Sequence, residues 1–315
     1  MGFLNVVKEV AGILNESRKL FLKNKKLMFS VFIFPLLLQC LVYLFNILVI
    51  QPELTNLILE ASLLPTADPS SPEYIVHLMK LLADLRQFVS SSYIFLAVSS
   101  IITLLSVVAI VHASALTHKG ENIKIKDFLV LTLKSWRGPL VTYFYIALFT
   151  FGYMFFFYII LFPIILFSTT TVVALIALAA EVLALLILFA VFQFYLAIVW
   201  YLSMVISTLE ETYGIQALGK AAKIVKGMKP RLFLLNLCFS LLYCGLGAIM
   251  GLTNSTSSFA VTLTVSLVLV TLIYAVSMFQ LVTYTVAYFQ CTGHQGKDVE
   301  SLKDVEYTTL MGNAP

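Results

Sequence analysis

Apolar residues run through this chain in long blocks rather than short alternations. Leu27 to Ile50 contains no Asp, Glu, Lys or Arg, and neither does Phe88 to His118. Gly138 to Leu209 contains one such residue, Glu181, and Leu232 to Gly296 contains none. An apolar block of roughly 18 residues or more is long enough to cross the ~30 Å hydrocarbon core of a bilayer as a helix. Strands of a membrane barrel would alternate apolar and polar positions over about ten residues, so the blocks exclude a barrel. The pattern predicts an all-α polytopic membrane protein.

Charge decides how many times the chain crosses. Lys and Arg collect in cytoplasmic loops. Residues 1–26 carry Lys8, Arg18, Lys19, Lys23, Lys25 and Lys26, and residues 117–138 carry five further cations. The stretch 206–233 carries Lys220, Lys223, Lys226, Lys229 and Arg231. Only Lys80 and Arg86 occur within 51–90, beside several acids. By length alone, Gly138 to Leu209 has room for three crossings of about 20 residues. Three would put the five cations of 206–233 outside; two keep them inside. Two long helices turning near Ser168–Thr171 are therefore expected, and the last block divides at Asn254–Ser258. The result is six spans, at about 27–50, 91–117, 139–167, 172–208, 232–253 and 258–290. A basic amphipathic segment (1–26) leads the six-span domain (27–290), 51–90 is an outer loop, and 291–315 is a tail, with both termini cytoplasmic.

The polar stretches have a helical period of their own. At roughly 100° per residue, Ile215, Ala217, Leu218, Ala221, Ala222, Ile224 and Val225 share one face of a helix, and Lys220, Lys223 and Lys226 share the other. Gly227 suits the end of that helix, and Pro230 the start of the next. Glu210 and Glu211 suit the positive end of its dipole. A basic amphipathic helix of this kind lies at a membrane interface or under the bundle. Val6–Leu22 and Ile125–Lys134 show the same order: amphipathic segment, basic break, span. Two readings stay open, a threefold structural repeat or the order shown by any six-span protein with short basic loops. On the other side, Ile75, Leu78, Met79, Leu82, Leu85 and Val89 predict a separate outer interfacial helix after the Pro-rich stretch 63–72.

Composition agrees with the blocks: 60% hydrophobic and 11% charged, against about 25% charged in a soluble domain. Cys40, Cys238 and Cys244 fall inside apolar blocks, and Cys291 sits at the end of the last one, as a free thiol or an acylation site. His77, His112, His118 and His294 have no Cys, Asp or Glu at zinc-site spacing. No Gly-rich phosphate loop occurs, and Gly247 and Gly251 form the small-residue spacing that lets two helices approach closely. Nothing in this set implies a cofactor, a metal or a catalytic cluster. Glu181 has two readings, a structural interfacial carboxylate or a contact for an ion, proton or substrate. Gln193 and Asn236, with Gln39, Asn46 and Gln280, are scattered over several spans, as links between helices or as the lining of a path. Tyr307 and Leu310 have the spacing of a cytosolic sorting signal, a short pattern that also arises by chance.

Ser207-Thr208-Leu209-Glu210-Glu211-Thr212-Tyr213-Gly214-Ile215-Gln216-Ala217-Leu218, continuing to Lys226-Gly227, resembles the signature of a group of uncharacterised plant six-span membrane proteins. Some of these carry a label as binding partners of polyadenylate-binding protein. More distantly, the spans and this stretch resemble the membrane domain of bacterial glycerophosphoryl diester phosphodiesterases, whose catalytic domain is a separate soluble unit with no counterpart here. The resemblance implies a helical module of plant plasma membrane or endomembranes. The expected role is non-enzymatic: organising lipids, anionic ones on the cytoplasmic face, or protein partners, without direct contact to nucleic acid. A channel or transporter for a small solute or ion is the alternative.

Overall fold

A computed structural model describes residues 3–64, 71–121, 125–166, 172–256 and 259–294. Among them every regular element is helical, and six helices are long and apolar enough to cross a membrane. The turn expected at Ser168–Thr171 lies outside the described residues, as do much of the Pro-rich stretch 63–72 and the division near Ser257–Ser258.

Helix α1 (Phe3–Lys23) is amphipathic because Val6, Val10, Ile13, Ser17 and Leu20 recur three or four residues apart and are all buried. Asn24 ends it and caps α2 (Lys25–Phe45), its side chain accepting from the Leu27 N–H at 3.3 Å. α2 does not stop at the end of the apolar block. It passes through a π-helical turn at Asn46–Ile50 into α3 (Gln51–Leu63). Pro52 has no N–H to offer the carbonyl one turn back, and the wider turn before it accommodates that loss.

The segment expected outside is therefore helical on both sides of residues 65–70, with α3 running up to them and a second helix starting after them. α4 (Pro72–Lys119) begins at a Ser71 cap, with the Tyr74 N–H donating to the serine oxygen at 3.2 Å, and ends at Gly120 in the left-handed region. Its 48 residues extend about 72 Å, more than twice the hydrocarbon thickness. The separate outer helix expected at 75–89 is corrected to the first half of this one helix. Gln87 to Ser92 has four polar residues, Gln87 and Ser90 to Ser92, but neither Gly nor Pro, so nothing interrupts the backbone between cap and span.

α3 and α4 are joined by polar contacts. Glu53 accepts from the Gln87 amide at 2.9 Å and from the Ser91 hydroxyl at 3.1 Å. Glu60 accepts from Lys80 and lies 3.0 Å from His77 Nδ1. The hydrogen bond from Lys80, then that from His77, holds the Glu60 carboxyl below its ordinary 4.5. The same bond holds the Lys80 ammonium above 10.5. A depressed carboxylate stabilises above its unfolded value and loses that contribution as pH falls through the folded one. A raised ammonium stabilises below its unfolded value and loses it as pH rises through the folded one. Hydrogen exchange of α3 amides, corrected for intrinsic rates, is thus expected to be faster at pH 3 than at pH 7. Glu60→Gln should show the fast rate at both; equal wild-type protection at the two values would refute the coupling.

The remaining elements are α5 (Ile125–Lys134), α6 (Arg137–Leu166), α7 (Val172–Leu209), α8 (Ile215–Gly227), α9 (Lys229–Thr256) and α10 (Phe259–His294). The short amphipathic helices α1, α5 and α8 each precede a pair of long helices, so one element order occurs three times. The densest core lies where α1 and α8 pack against the Lys119 end of α4, the Leu209 end of α7, the start of α9 and the His294 end of α10. The rest of α6 and the first half of α7 leave apolar side chains outward, Phe151 and Phe155 among them. In a bilayer such surface meets lipid at no hydrophobic cost.

Candidate functional site at the basic end of the bundle

The link between α7 and α8 is shaped by two glycines. Gly214 takes φ +61°, a conformation L side chains rarely adopt, and its N–H donates to Thr142 Oγ1 at 2.9 Å. A Cβ on Gly138, at the start of α6, would stand 2.1 Å from the Tyr213 ring. Tyr213 is therefore laid against the bare backbone of α6, and this contact with the Thr142 bond sets where α8 leaves the bundle.

Glu210, between α7 and α8, accepts from the Lys220 ammonium on α8 and the Tyr288 hydroxyl on α10. Tyr288 is 2% exposed. The dipole reading of Glu210 needs correction: α8 begins only at Ile215, and the carboxylate joins three helices instead. Glu211 beside it is exposed. No periodicity could signal this bridge, because Tyr288 stands 78 residues away.

The five cations of 206–233 divide in the same way. Lys220 is paired with Glu210, and Arg231 with Glu9 of α1, one contact being 2.9 Å. The Gln290 amide donates to Glu16 at 2.6 Å, so α1 is tied to α10 as well as to α9. Lys223 and Lys226 are exposed, and the Lys229 side chain lies outside the described residues. Around them Lys19, Lys23, Lys25 and Lys26 on α1 and α2, and Lys126 and Lys134 on α5, are also exposed. The outward lysines thus come from separate elements gathered at one end.

Two of the five amides in the spans, Asn236 and Gln280, bond to neighbouring helices. Asn236 donates to the Phe194 carbonyl on α7 and accepts from Tyr284 on α10, both at 3.3 Å. Tyr201 stacks on Tyr284 with ring centroids 5.1 Å apart. The Tyr243 hydroxyl lies 2.9 Å from both Ser277 and Gln280, tying α9 to α10. Gln193 on α7 differs: its Oε1 is buried and meets no donor among the described residues. Glu181 joins none of these groups. It is exposed in the N-terminal half of α7, roughly 42 Å along the helix from Leu209.

His112 is buried, and His118 stacks on Phe289 with ring centroids 4.6 Å apart. Among the described residues no three of His, Cys, Asp and Glu come together as a metal site. Cys291 is buried. Among the described residues nothing packs onto Gly247 or Gly251, where a Cβ would meet no atom within 4 Å, so the close helix approach their spacing suggests is not made there. Tyr307 and Leu310 lie outside the described residues.

A family model described as a domain of unknown function, DUF8558, matches residues 1–307. The chain belongs to the DUF8558 family. No curated protein and no solved structure matches it. The match takes in all six helices long and apolar enough to cross a membrane, and the basic end.

Proposed function

We propose that this DUF8558 protein crosses the membrane six times with its basic end in the cytoplasm, and organises anionic lipid there without catalysing a reaction. The observation that carries the reading is the convergence of exposed lysines from α1, α2, α5 and α8 on one end. Each cation close to an anionic leaflet attracts headgroups by about 1 kcal/mol. Lys220 and Arg231 contribute less, since Glu210 and Glu9 already neutralise them. Protein partners recruited to the same end, in a plant plasma membrane or endomembrane, belong to this reading. The alternative of an ion or solute path gains less support: Asn236 and Gln280 bond between helices, and Glu181 stands apart from both.

Trp136, 38% exposed beside Lys134 and Arg137, provides the probe. The full chain is reconstituted with chain-brominated lipids, either anionic or zwitterionic at equal mole fraction. The anionic lipid is expected to quench Trp136 fluorescence more strongly, with the preference falling severalfold in 0.5 M salt and in the Lys134→Gln/Lys223→Gln/Lys226→Gln variant. Equal quenching by both lipids at every salt concentration would sink the proposal. Trp200, on α7, is replaced by Phe in every sample so that one indole reports.

A further inference from the structure

A cavity of about 400 Å³ lies between α2, α4 and α10, well away from the basic end. Its nearest α4 residue, Ile110, stands ~13 Å along the helix from Lys119. The volume falls within the roughly 300–1,000 Å³ of pockets that hold small molecules. The walls are mainly apolar, with Val107, Ile110, Val270, Ile273 and Leu281 among them, and no charged residue takes part. Hydrogen-bonding groups are set into these walls from all three helices: Gln39 and Asn46, Thr103 and Ser106, Tyr274 and Ser277.

Most side chains of this kind elsewhere in the bundle have protein partners. Here Gln39, Asn46 and Thr103 make no side-chain hydrogen bond among the described residues. The Tyr274 hydroxyl is sealed beside Ser106 outside hydrogen-bonding geometry, and Ser106 donates to the Ile102 carbonyl at 2.6 Å. In hydrocarbon an unsatisfied amide or hydroxyl costs several kcal/mol. Groups left open on two of the helices around one space, Gln39 and Asn46 on the α2 side and Thr103 on α4, suit a ligand that brings its own donor and acceptor. The backbone adds an independent sign. Asn46 opens the π-helical turn in α2, and such turns recur at functional sites.

The entrance identifies where the ligand comes from. An adjoining groove of about 250 Å³ shares Val42 and Phe95 with the cavity, and its other residues are Leu41, Phe45, Ile94 and Val98. Leu41 and Ile94 are exposed. This wholly apolar mouth opens sideways between α2 and α4, toward the medium the spans themselves require.

We infer that the cavity between α2, α4 and α10 binds a neutral lipid bearing a hydroxyl or carbonyl group, taken from the bilayer through the α2–α4 groove. An ionised headgroup is disfavoured because nothing in the wall offsets a charge. A sterol and a diacylglycerol share the required chemistry.

The full chain is reconstituted in vesicles with a diazirine-bearing sterol, a diazirine-bearing diacylglycerol or a diazirine-bearing phosphatidylcholine, and labelled peptides are mapped. One hydroxylated probe is expected to label the cavity walls on α2, α4 and α10 at least fivefold more than lipid-facing α6, and to be competed by its unlabelled parent. Which probe does so distinguishes sterol from diacylglycerol. Phosphatidylcholine, kept out by its charged headgroup, should label the cavity walls no more than α6. Val107→Trp, which fills the space, and Asn46→Leu, which removes one polar group at similar volume, should each reduce wall labelling to the α6 level. The α6 labelling within each variant, with its elution as a single species, reports that the protein remains folded. Even labelling across all outward helices by all three probes overturns the inference, as does wall labelling unchanged in both variants.

Discussion

Replacing Glu210 by alanine is expected to lower the thermal midpoint of the detergent-solubilised protein by about 3–6 °C. The substitution leaves the buried Tyr288 hydroxyl without its acceptor and the Lys220 ammonium without its counter-ion. A buried donor stripped of its partner costs roughly 1–3 kcal/mol, and the upper part of that range applies when the lost partner is charged. For a chain of 315 residues each kcal/mol moves the midpoint by roughly 1.5–2 °C. Glu210→Gln keeps an oxygen for Tyr288 but no charge for Lys220, so about half the effect is expected. Lys220→Ala should cost less than Glu210→Ala, because the lysine side chain is 41% exposed and water takes over part of its solvation. Glu211→Ala is the control: the side chain is exposed, and surface positions of this kind change stability by at most about 0.5 kcal/mol. Should Glu210→Ala and Glu211→Ala melt together, Glu210 does not join α7, α8 and α10.

What could be read from the sequence follows the physical length of each signal. Bilayer thickness demands some 20 apolar residues in a row, and that demand is visible in any window of the chain. It shows directly in the Leu27–Ile50 and Phe88–His118 blocks. The amphipathic character of α8 was equally legible: Ala217, Ala221, Ile224 and Val225, placed on its apolar face by spacing, are buried, although Ile215 at its first position is exposed. The continuity of α4 was harder to see. A fall in hydropathy at Gln87–Ser92 reads like an end, but a helix ends only where backbone or capping chemistry ends it.

The candidate site was less legible because its pairings are remote in sequence. Arg231 meets a carboxylate 222 residues away, and Gln290 one 274 residues away. Spacing along one helix cannot report such partners, so Arg231 and Lys220 look as free in the sequence as Lys223 and Lys226. The cavity was hidden for a related reason. Gln39, Asn46 and Gln280 look equivalent as amides in apolar blocks. Only the packing shows that Gln280 meets Tyr243 while Gln39 and Asn46 face open space.

Gly138→Ala tests the geometry that aims α8, and its largest effect should vanish in a second background. The new methyl would lie 2.1 Å from one Tyr213 ring carbon and 2.3 Å from another, so the ring or the α6 backbone must move. Crowding of this kind typically costs roughly 1–3 kcal/mol. Removing the ring first removes the conflict: Gly138→Ala introduced into Tyr213→Ala should cost less than about 0.5 kcal/mol, giving a coupling energy near the full single-mutant cost. Gly214→Ala should behave differently. Its φ of +61° penalises a side chain whatever surrounds it, and its Cβ would meet the Tyr145 ring at 2.9 Å. A cost of roughly 1–3 kcal/mol is therefore expected in both backgrounds. Thermal unfolding of the four proteins built on Gly138 and Tyr213, and of Gly214→Ala with and without Tyr213, measures every term. If Gly138→Ala is as costly without the ring as with it, Tyr213 does not set the approach of α6. If Tyr213→Ala rescues Gly214→Ala, the turn is limited by contact with the Tyr213 ring rather than by its own backbone conformation and the Tyr145 ring. The expected pattern makes the direction of Lys223 and Lys226 a property of two bare backbone positions on separate elements, each fixed by a different physical constraint.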